Sequence, residues 1–432
     1  MEDNVTLRGD QSVKLLVFAH TPPVFHGQSL MTQQLLDVLG GDLQGQAQPG
    51  GEFSAASTGI DCYHVDAKLS RSLDDIGRIR IRKLFLILRY CAMAIWLRLR
   101  HSVTVFYYIP VPGRTGLVRD CLVMAICRPF FRRCIYHWHA AGLGHVLESE
   151  VSPWVLWISR RLLFGPDLSI VLSEFGRADA EVFRSRRIEV VANGLPDPCR
   201  RFEDEILPRR RARISVRQDL VAGRRSTSET SRVAGPDARD YKVLFLGACC
   251  RTKGLFDAMD AVMLANQSLQ FAPVRIRLII AGSFTNPNEQ REFQARMAKP
   301  EGTQDQPVIE YRGFVTGPEK GRLLQDCDCL CFPTYHPAES FGLVLAEAMA
   351  FGMAILTTRW RSIPEVLPPG YAGIIEPRSP AQLEARLLGY LTQDYDPRLR
   401  ARYLELFTHK RWAENMQRVL LSLDDKPGEI HR

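Results

Sequence analysis

No stretch of this chain is apolar enough and long enough to cross a bilayer. The nearest, Leu84 to Leu97 (LFLILRYCAMAIWL), is shorter than the ~20 apolar residues a span needs and contains Arg89. The start, Met1-Glu2-Asp3-Asn4, is acidic and polar and has none of the character of a secretory leader. The 11 cysteines lack the paired spacing of a disulfide-stapled secreted domain. A cytoplasmic protein is therefore expected. Nor is there the polarity of a disordered chain, because 46% of residues are hydrophobic and 24% charged, an ordinary globular balance.

What is present is length and a basic surplus. At 432 residues the chain suits two α/β domains better than one core. A formal net charge of +8 favours anionic partners such as nucleotides, phosphates, acidic lipid or nucleic acid, without choosing among them. Arg78, Arg80, Arg82 and Lys83 precede the Leu84–Leu97 stretch, and Arg98 and Arg100 follow it. Two readings stand: a buried helix with solvated ends, or a helix lying on an anionic membrane.

Strand-like runs begin with Lys14 to Ala19 (KLLVFA), continuous in the way of a strand buried on both faces of a parallel sheet. A glycine-containing loop and a helix from about Ser29 to Leu39 follow. Further strands are expected at Val103 to Ile109, Cys134 to His139, Leu168 to Leu172 and Ile188 to Ala192. After Arg200 the alternation stops, and to Asp240 the composition is arginine with Ser, Thr, Gly and Pro. Without interleaved aromatics this reads as a solvated linker or insert, and no nucleic acid is expected as a partner. The alternation resumes at Lys242 to Leu246 and continues through Arg275 to Ala281, Val308 to Arg312, Leu330 to Phe332 and Ala354 to Thr357. The expected organisation is a domain at 1–199, a linker at 200–240, a second domain at 241–400 and a terminal helix and tail at 401–432. Residues 42–58 read as a surface loop.

The chemistry concentrates in Pro333 to Val366 (PTYHPAESFGLVLAEAMAFGMAILTTRWRSIPEV). A strand ends in a proline-containing loop bearing Glu339, and Ser340-Phe341-Gly342 lead into a helix near Leu343. Unpaired N–H groups and partial positive charge at that helix start suit a diphosphate. Glu339 before the helix and Glu347 within it can flank one ligand and accept hydrogen bonds from sugar or ribose hydroxyls. A second segment, Val243 to Leu255 (VLFLGACCRTKGL), places Lys253 and Gly254 before a helix, where a lysine can neutralise phosphate. In the N-terminal half, Gly27 lies in Thr21 to Ser29 (TPPVFHGQS), at the end of the first strand, where open α/β sheets bind ligands. His137 and His139 close the strand of Cys134 to Gly142 (CIYHWHAAG), with too few ligands for zinc. Cys327, Cys329 and Cys331 have no second ligand group nearby and read as buried small side chains.

The pattern Glu339, Phe341-Gly342-Leu343 and Glu347 to Gly352, continued by Ile363-Pro364-Glu365-Val366, resembles the family 4 retaining glycosyltransferases. The resemblance implies an α/β GT-B fold, two Rossmann-like domains with a cleft between them. It implies Glu339 on donor-sugar hydroxyls, Glu347 on the ribose, and Phe341, Gly342 and Leu343 near the diphosphate. Lys253 matches the family's phosphate-binding lysine, but Ala248 stands where the family has an arginine. Arg251 is the expected substitute. Val190 to Gly194 (VVANG) matches the turn that leaves the N-terminal domain, and His139 is expected to hydrogen-bond the reacting sugar.

The implied activity is retaining transfer of a sugar from a nucleotide diphosphate donor to a saccharide or lipid-linked acceptor, in polysaccharide or glycolipid synthesis. No cofactor or metal is called for, since cationic side chains and backbone dipoles can do the charge work. An anionic membrane surface is a further expected partner. A nucleotide-sugar epimerase remains an alternative, as does a noncatalytic protein binding nucleotide sugars or nucleic acid. Spacing leaves the donor base and sugar open.

Overall fold

The computed structural model describes residues 12–22, 27–40, 59–69, 81–298 and 307–424. The expected surface loop at 42–58 lies outside the described residues. Two compact units form, one from Met1–Val191 with Ala413–Arg432, the other from Ala192–Trp412.

The first unit runs β1 (Val13–Ala19), α1 (Gly27–Val38), β2 (Ile60–Asp66), α2 (Ile81–His101), β3 (Val105–Tyr108), α3 (Arg114–Cys127), β4 (Arg133–Trp138), α4 (Leu143–Ser149), α5 (Pro153–Leu163), β5 (Leu168–Val171), α6 (Arg177–Val182) and β6 (Ile188–Val190). Its six strands are all parallel, in the order β2-β1-β3-β4-β5-β6. Strands such as β3, buried at every position, explain the unbroken apolar runs in the sequence. β2 (IDCYHVD) was missed because three polar residues interrupt it. One face of the sheet packs under α2, α3 and α5, with Phe106, Tyr108, Ile87, Leu97, Met124 and Leu163 in a common core. The Leu84–Leu97 stretch lies in α2, and it is buried along one side only. Leu84, Phe85, Leu88, Met93, Trp96 and Leu99 are exposed.

The second unit opens with α7 (Leu207–Val221) and α8 (Ser228–Ala234) and continues through β7 (Asp240–Leu246), α9 (Leu255–Ser268), β8 (Arg275–Ala281), α10 (Pro287–Met297), β9 (Ile309–Gly313), α11 (Gly317–Asp326), β10 (Cys329–Phe332), α12 (Leu343–Ala350), β11 (Ala354–Thr358), α13 (Ile363–Val366), β12 (Ile374–Ile375), α14 (Pro380–Tyr390) and α15 (Pro397–Leu406). Its six strands are parallel too, in the order β12-β11-β10-β7-β8-β9. The expected terminal helix is divided. α15 ends at Leu406, α16 (His409–Leu421) follows, and the chain passes to the first unit at Ala413. Cys327, Cys329 and Cys331 are buried small side chains as expected.

The linker expected at 200–240 is a correction: most of it is helical, and it belongs to the second unit, which begins at Ala192. Arginine was read as solvated, but Arg210, Arg213 and Arg217 lie on one face of α7 at helical spacing and are buried. Burial is tolerated because each has acceptors. Arg210 donates to the carbonyls of Leu324, Cys327 and Phe351 at 2.9, 2.8 and 2.9 Å. Arg213 and Arg217 donate to Asp328 Oδ1 at 2.9 and 3.3 Å, while the Lys242 N–H donates to Asp328 Oδ2 at 3.0 Å. Burial pushes the Asp328 carboxyl up, yet Arg217 and Arg213 outweigh this and hold it below the usual carboxylate range. Arg210, with burial and then Arg213 acting against its charge, is pushed down to about 10. A cavity of about 40 Å³ beside Arg210, Arg217, Tyr241 and Asp328 has room for water and is far too small for a nucleotide.

Replacing Asp328 with Asn leaves two buried guanidinium groups without a counter-charge and is expected to destabilise the fold by about 3–5 kcal/mol in urea unfolding. A loss below about 1 kcal/mol, the scale of a surface pair, would mean that the acid is dispensable.

Candidate nucleotide-sugar site

In an open parallel sheet, ligands gather where neighbouring strands send their connections in opposite directions. In the second unit that point lies between β7 and β10. Their pairing covers only Cys329↔Val243 and Leu330↔Leu244, so the strands part company toward their C-terminal ends. The loop after β7 carries Arg251 to Lys253 in a single 3-10 turn, and the loop after β10 carries Glu339.

The two loops are fastened together. Lys253 Nζ donates to Glu339 Oε2 at 2.6 Å, and Thr334 Oγ1 donates to the same oxygen at 3.4 Å. The Tyr335 N–H donates to the Thr252 carbonyl at 2.8 Å, and Thr252 Oγ1 is hydrogen-bonded to His336 Nδ1 at 2.9 Å. Gly254 has φ +81°, and a Cβ there would run into the Pro333 carbonyl, so only glycine lets the loops close up. Glu339 is buried, so its charge relies on these donors.

Helix α12 begins immediately beyond, with Gly342 at φ +72° as its N-cap residue. No side chain caps this end, so backbone N–H groups at its start remain for a ligand. Phe341 is buried against Phe407 at a ring separation of 5.4 Å, and Ser362 Oγ donates to the Ser340 carbonyl at 2.7 Å. Leu343 starts the helix, and Glu347 accepts from Lys320 on α11 at 2.5 Å. Each expected carboxylate thus has a lysine partner of its own.

Arg251 is not brought to this group. Its Nη2 donates to Glu292 on α10 at 2.5 Å, its N–H donates to Glu289, and its guanidinium stacks on Phe256 at 4.7 Å. Three residues at this edge escaped the sequence reading. Burial, then Lys253, holds His336 below the usual imidazole range, and Arg361 acts in the same direction. Arg361 and Arg378 have φ of 48° and 59°, left-handed values that cost a non-glycine residue about 1 kcal/mol or more. Arg378 stacks over the Tyr335 ring at 4.7 Å. The signal available was positional: basic residues just past strands of a parallel sheet.

In the first unit the change of direction falls between β1 and β3. Gly27 is exposed there as the first residue of α1. His139 follows β4 at the same C-terminal edge, partly buried, with its ring 4.0 Å from that of His137. His137 points into the core, where its Nδ1 is hydrogen-bonded to the Tyr107 hydroxyl and its Nε2 has no partner among the described residues. Among the described residues no group of three or more His, Cys, Asp or Glu is placed to hold a metal ion.

The architecture recurs in known proteins. The chain is similar in structure to Anabaena HepE in complex with UDP and glucose (TM-score 0.56, 17% identity, covering 94% of this chain and 99% of that one). It is likewise similar to sucrose-phosphate synthase from Thermosynechococcus elongatus (TM-score 0.61, 14% identity, 95% and 99%). The fold is the α/β fold of GT-B glycosyltransferases. Residues 226–405 match the family described as glycosyl transferases group 1. Among curated relatives, the D-inositol 3-phosphate glycosyltransferase of Pseudarthrobacter chlorophenolicus is 28% identical over 148 residues, 34% of this chain and 33% of that protein. The phosphatidyl-myo-inositol mannosyltransferase of Mycobacterium tuberculosis is 28% identical over 182 residues, 41% and 44%. These alignments span between a third and just under half of the relatives' length.

Burial, and then His139, holds His137 well below the usual imidazole range, so it is neutral when folded. The unfolded chain takes up that proton below about pH 6.5 and the folded chain does not, so stability falls as the pH drops through that value, by up to about 1.4 kcal/mol per unit. Urea midpoints measured between pH 5 and 7.5 are expected to show this slope, reduced in His137→Gln. An unchanged slope in the variant would assign it to other histidines.

Proposed function

We propose that this protein is a retaining glycosyltransferase that moves a hexose from a nucleotide diphosphate sugar to a saccharide or lipid-linked acceptor, in polysaccharide or glycolipid synthesis. One observation carries the reading. A Lys253–Glu339 pair, its carboxylate buried and its lysine half-buried, stands where β7 and β10 diverge, directly before the uncapped start of α12. A cation, a carboxylate and unpaired N–H groups at one place suit a diphosphate joined to a sugar. The UDP and glucose held by Anabaena HepE and the names of the glycosyl- and mannosyltransferase relatives support the same class.

In this reading the diphosphate lies at the start of α12, near the backbone of Phe341, Gly342 and Leu343. Lys253 turns from Glu339 toward the phosphates, which frees Glu339 to accept hydrogen bonds from the donor-sugar hydroxyls. Glu347 receives the ribose, and Gly27 lets the loop after β1 approach a ligand. As the anomeric C–O bond breaks, negative charge grows on the diphosphate and positive charge on the sugar. The preorganised lysine and helix start stabilise the first, and Glu339 helps hold the second. The acceptor hydroxyl attacks the same face, its proton passes to the leaving phosphate, and configuration is retained. His139 hydrogen-bonds the reacting sugar. The charge work falls to these groups, so we propose no resident cofactor or metal. The working place is the cytoplasm, at the membrane surface where a lipid-linked acceptor is held.

Hydrolysis and transfer from a panel of UDP-, GDP- and ADP-sugars, with membrane lipid extract as acceptor, test the proposal. Glu339→Ala is expected to lower turnover by about 10²-fold on the best donor. Wild-type protein that binds a donor and turns none over would make it a nucleotide-sugar sensor. In calorimetry with the matching nucleoside diphosphate, Lys253→Met is expected to weaken binding by roughly ten- to a hundredfold, the scale of one charge-assisted hydrogen bond. Arg251→Ala, whose side chain is held by Glu292, is expected to change affinity by less than about twofold, and a loss as large as that of Lys253→Met would return Arg251 to the phosphate site.

A further inference from the structure

We propose that the outer faces of α2 and α5 form a docking surface that lies in the headgroup region of an anionic membrane. A surface helix ordinarily carries one apolar stripe, turned to the core. α2 carries two. Ile87, Cys91, Ala94 and Leu97 face the core, while Phe85, Leu88, Ala92, Trp96 and Leu99 recur at the same helical spacing on the outside. Phe85 and Leu99 are 67% and 70% exposed. On α5, Trp154 and Trp157 sit three residues apart on one face, 66% and 68% exposed.

These helices are neighbours in one layer. α2 packs on α3 and α3 on α5, and all three cover the same face of the first sheet. α3 adds Val118, also exposed. Half of the large apolar side chains exposed among the described residues lie between Leu84 and Trp157. A patch of this kind on a folded protein marks an interaction surface.

Charge identifies the occupant. Neither α2 nor α5 has an acidic residue, whereas Arg82, Lys83, Arg89 and Arg100 lie on α2 and Arg160 and Arg161 on α5. Cations around tryptophan are the composition of the membrane–water boundary, where anionic headgroups meet the cations and indole rings lie at headgroup level. A symmetric contact with a second copy would set these cations against one another. Among the described residues no helix is long and apolar enough to cross a membrane, so α2 would lie along the surface. The inference rests on the lipid-linked acceptor reading for its purpose and on the surface itself for its chemistry.

The test is sedimentation of the full chain with phosphatidylcholine vesicles, with and without phosphatidylglycerol, together with tryptophan emission. Binding is expected only to the anionic vesicles, with a blue shift, because three of the chain's 6 tryptophans lie on this surface. The Trp154→Ala/Trp157→Ala and Phe85→Ser/Trp96→Ser pairs are each expected to weaken vesicle binding by about tenfold or more. Arg160→Glu/Arg161→Glu should do the same at low salt. Lipid-free donor hydrolysis should be unchanged in all of them, which also reports an intact fold. The inference is overturned if wild-type protein ignores anionic vesicles, if the variants bind as wild type does, or if they abolish a dimer in solution. Vesicle binding by a protein that turns over no donor would remove the proposed function and leave the docking surface standing.

Discussion

The site depends on how helix α12 is held at its far end. The helix is short and apolar nearly all round, with Leu345, Ala346, Ala348, Met349 and Ala350 buried, so no polar face of its own decides how it lies. Its C-terminal carbonyls do. Arg400 donates to Ala350 at 2.8 Å and Arg210 to Phe351 at 2.9 Å, two cations at the end of the helix that carries partial negative charge. Arg400 is itself held by both oxygens of Asp197, at 2.9 and 2.7 Å. With that end fixed, the uncapped N-terminus is directed to the place where β7 and β10 separate, and Lys253 and Glu339 meet beside it.

The same arrangement explains why the second unit begins before its first strand. α7 buries Arg210, Arg213 and Arg217 beside Leu207, Ala212 and Val216, and burial of the three arginines is answered chiefly by Asp328 and by the carbonyls of Leu324, Cys327 and Phe351. Those acceptors become available only once β7, β10 and α11 are assembled, since the Lys242 N–H and the loop after α11 complete the cluster. Buried ion pairs of this kind add little net stability over apolar packing, but breaking one is costly. Their effect here is geometric. The cluster allows one arrangement of α7 against the sheet, and with it one position of the helix that receives the diphosphate in the proposed mechanism.

The basic surplus of the chain therefore has two separate destinations. Arg210, Arg213, Arg217 and Arg400 are internal, answered by carbonyls and two aspartates, and present nothing to a partner. The cations of α2 and α5 stand outside with exposed tryptophan and leucine between them. A net charge of +8 is the balance of all 56 cations against 48 acids and reveals neither group.

The sequence by itself determined the β/α alternation, the parallel sheets and the loop that bears Glu339. Strands buried on both faces read as unbroken apolar runs, and Phe341-Gly342 with the helix behind it is a local signal contained within a few residues. It also singled out both Lys253 and Glu339, though 86 residues separate them. Their meeting at 2.6 Å was decided by strand order, which no local pattern encodes. Only tertiary structure decided the fate of the arginines. Composition from Arg200 to Asp240 read as solvated linker, because most of the acceptors that make burial of Arg210, Arg213 and Arg217 tolerable lie more than a hundred residues away. Arg251 was assigned to phosphate from its place in a loop, and the structure gives it to Glu292, because direction from a turn depends on which helix packs beside it. In the same way α2 reads as a buried helix or a surface one from sequence alone. Both of its stripes are apolar, and only the sheet beneath selects which of them is covered.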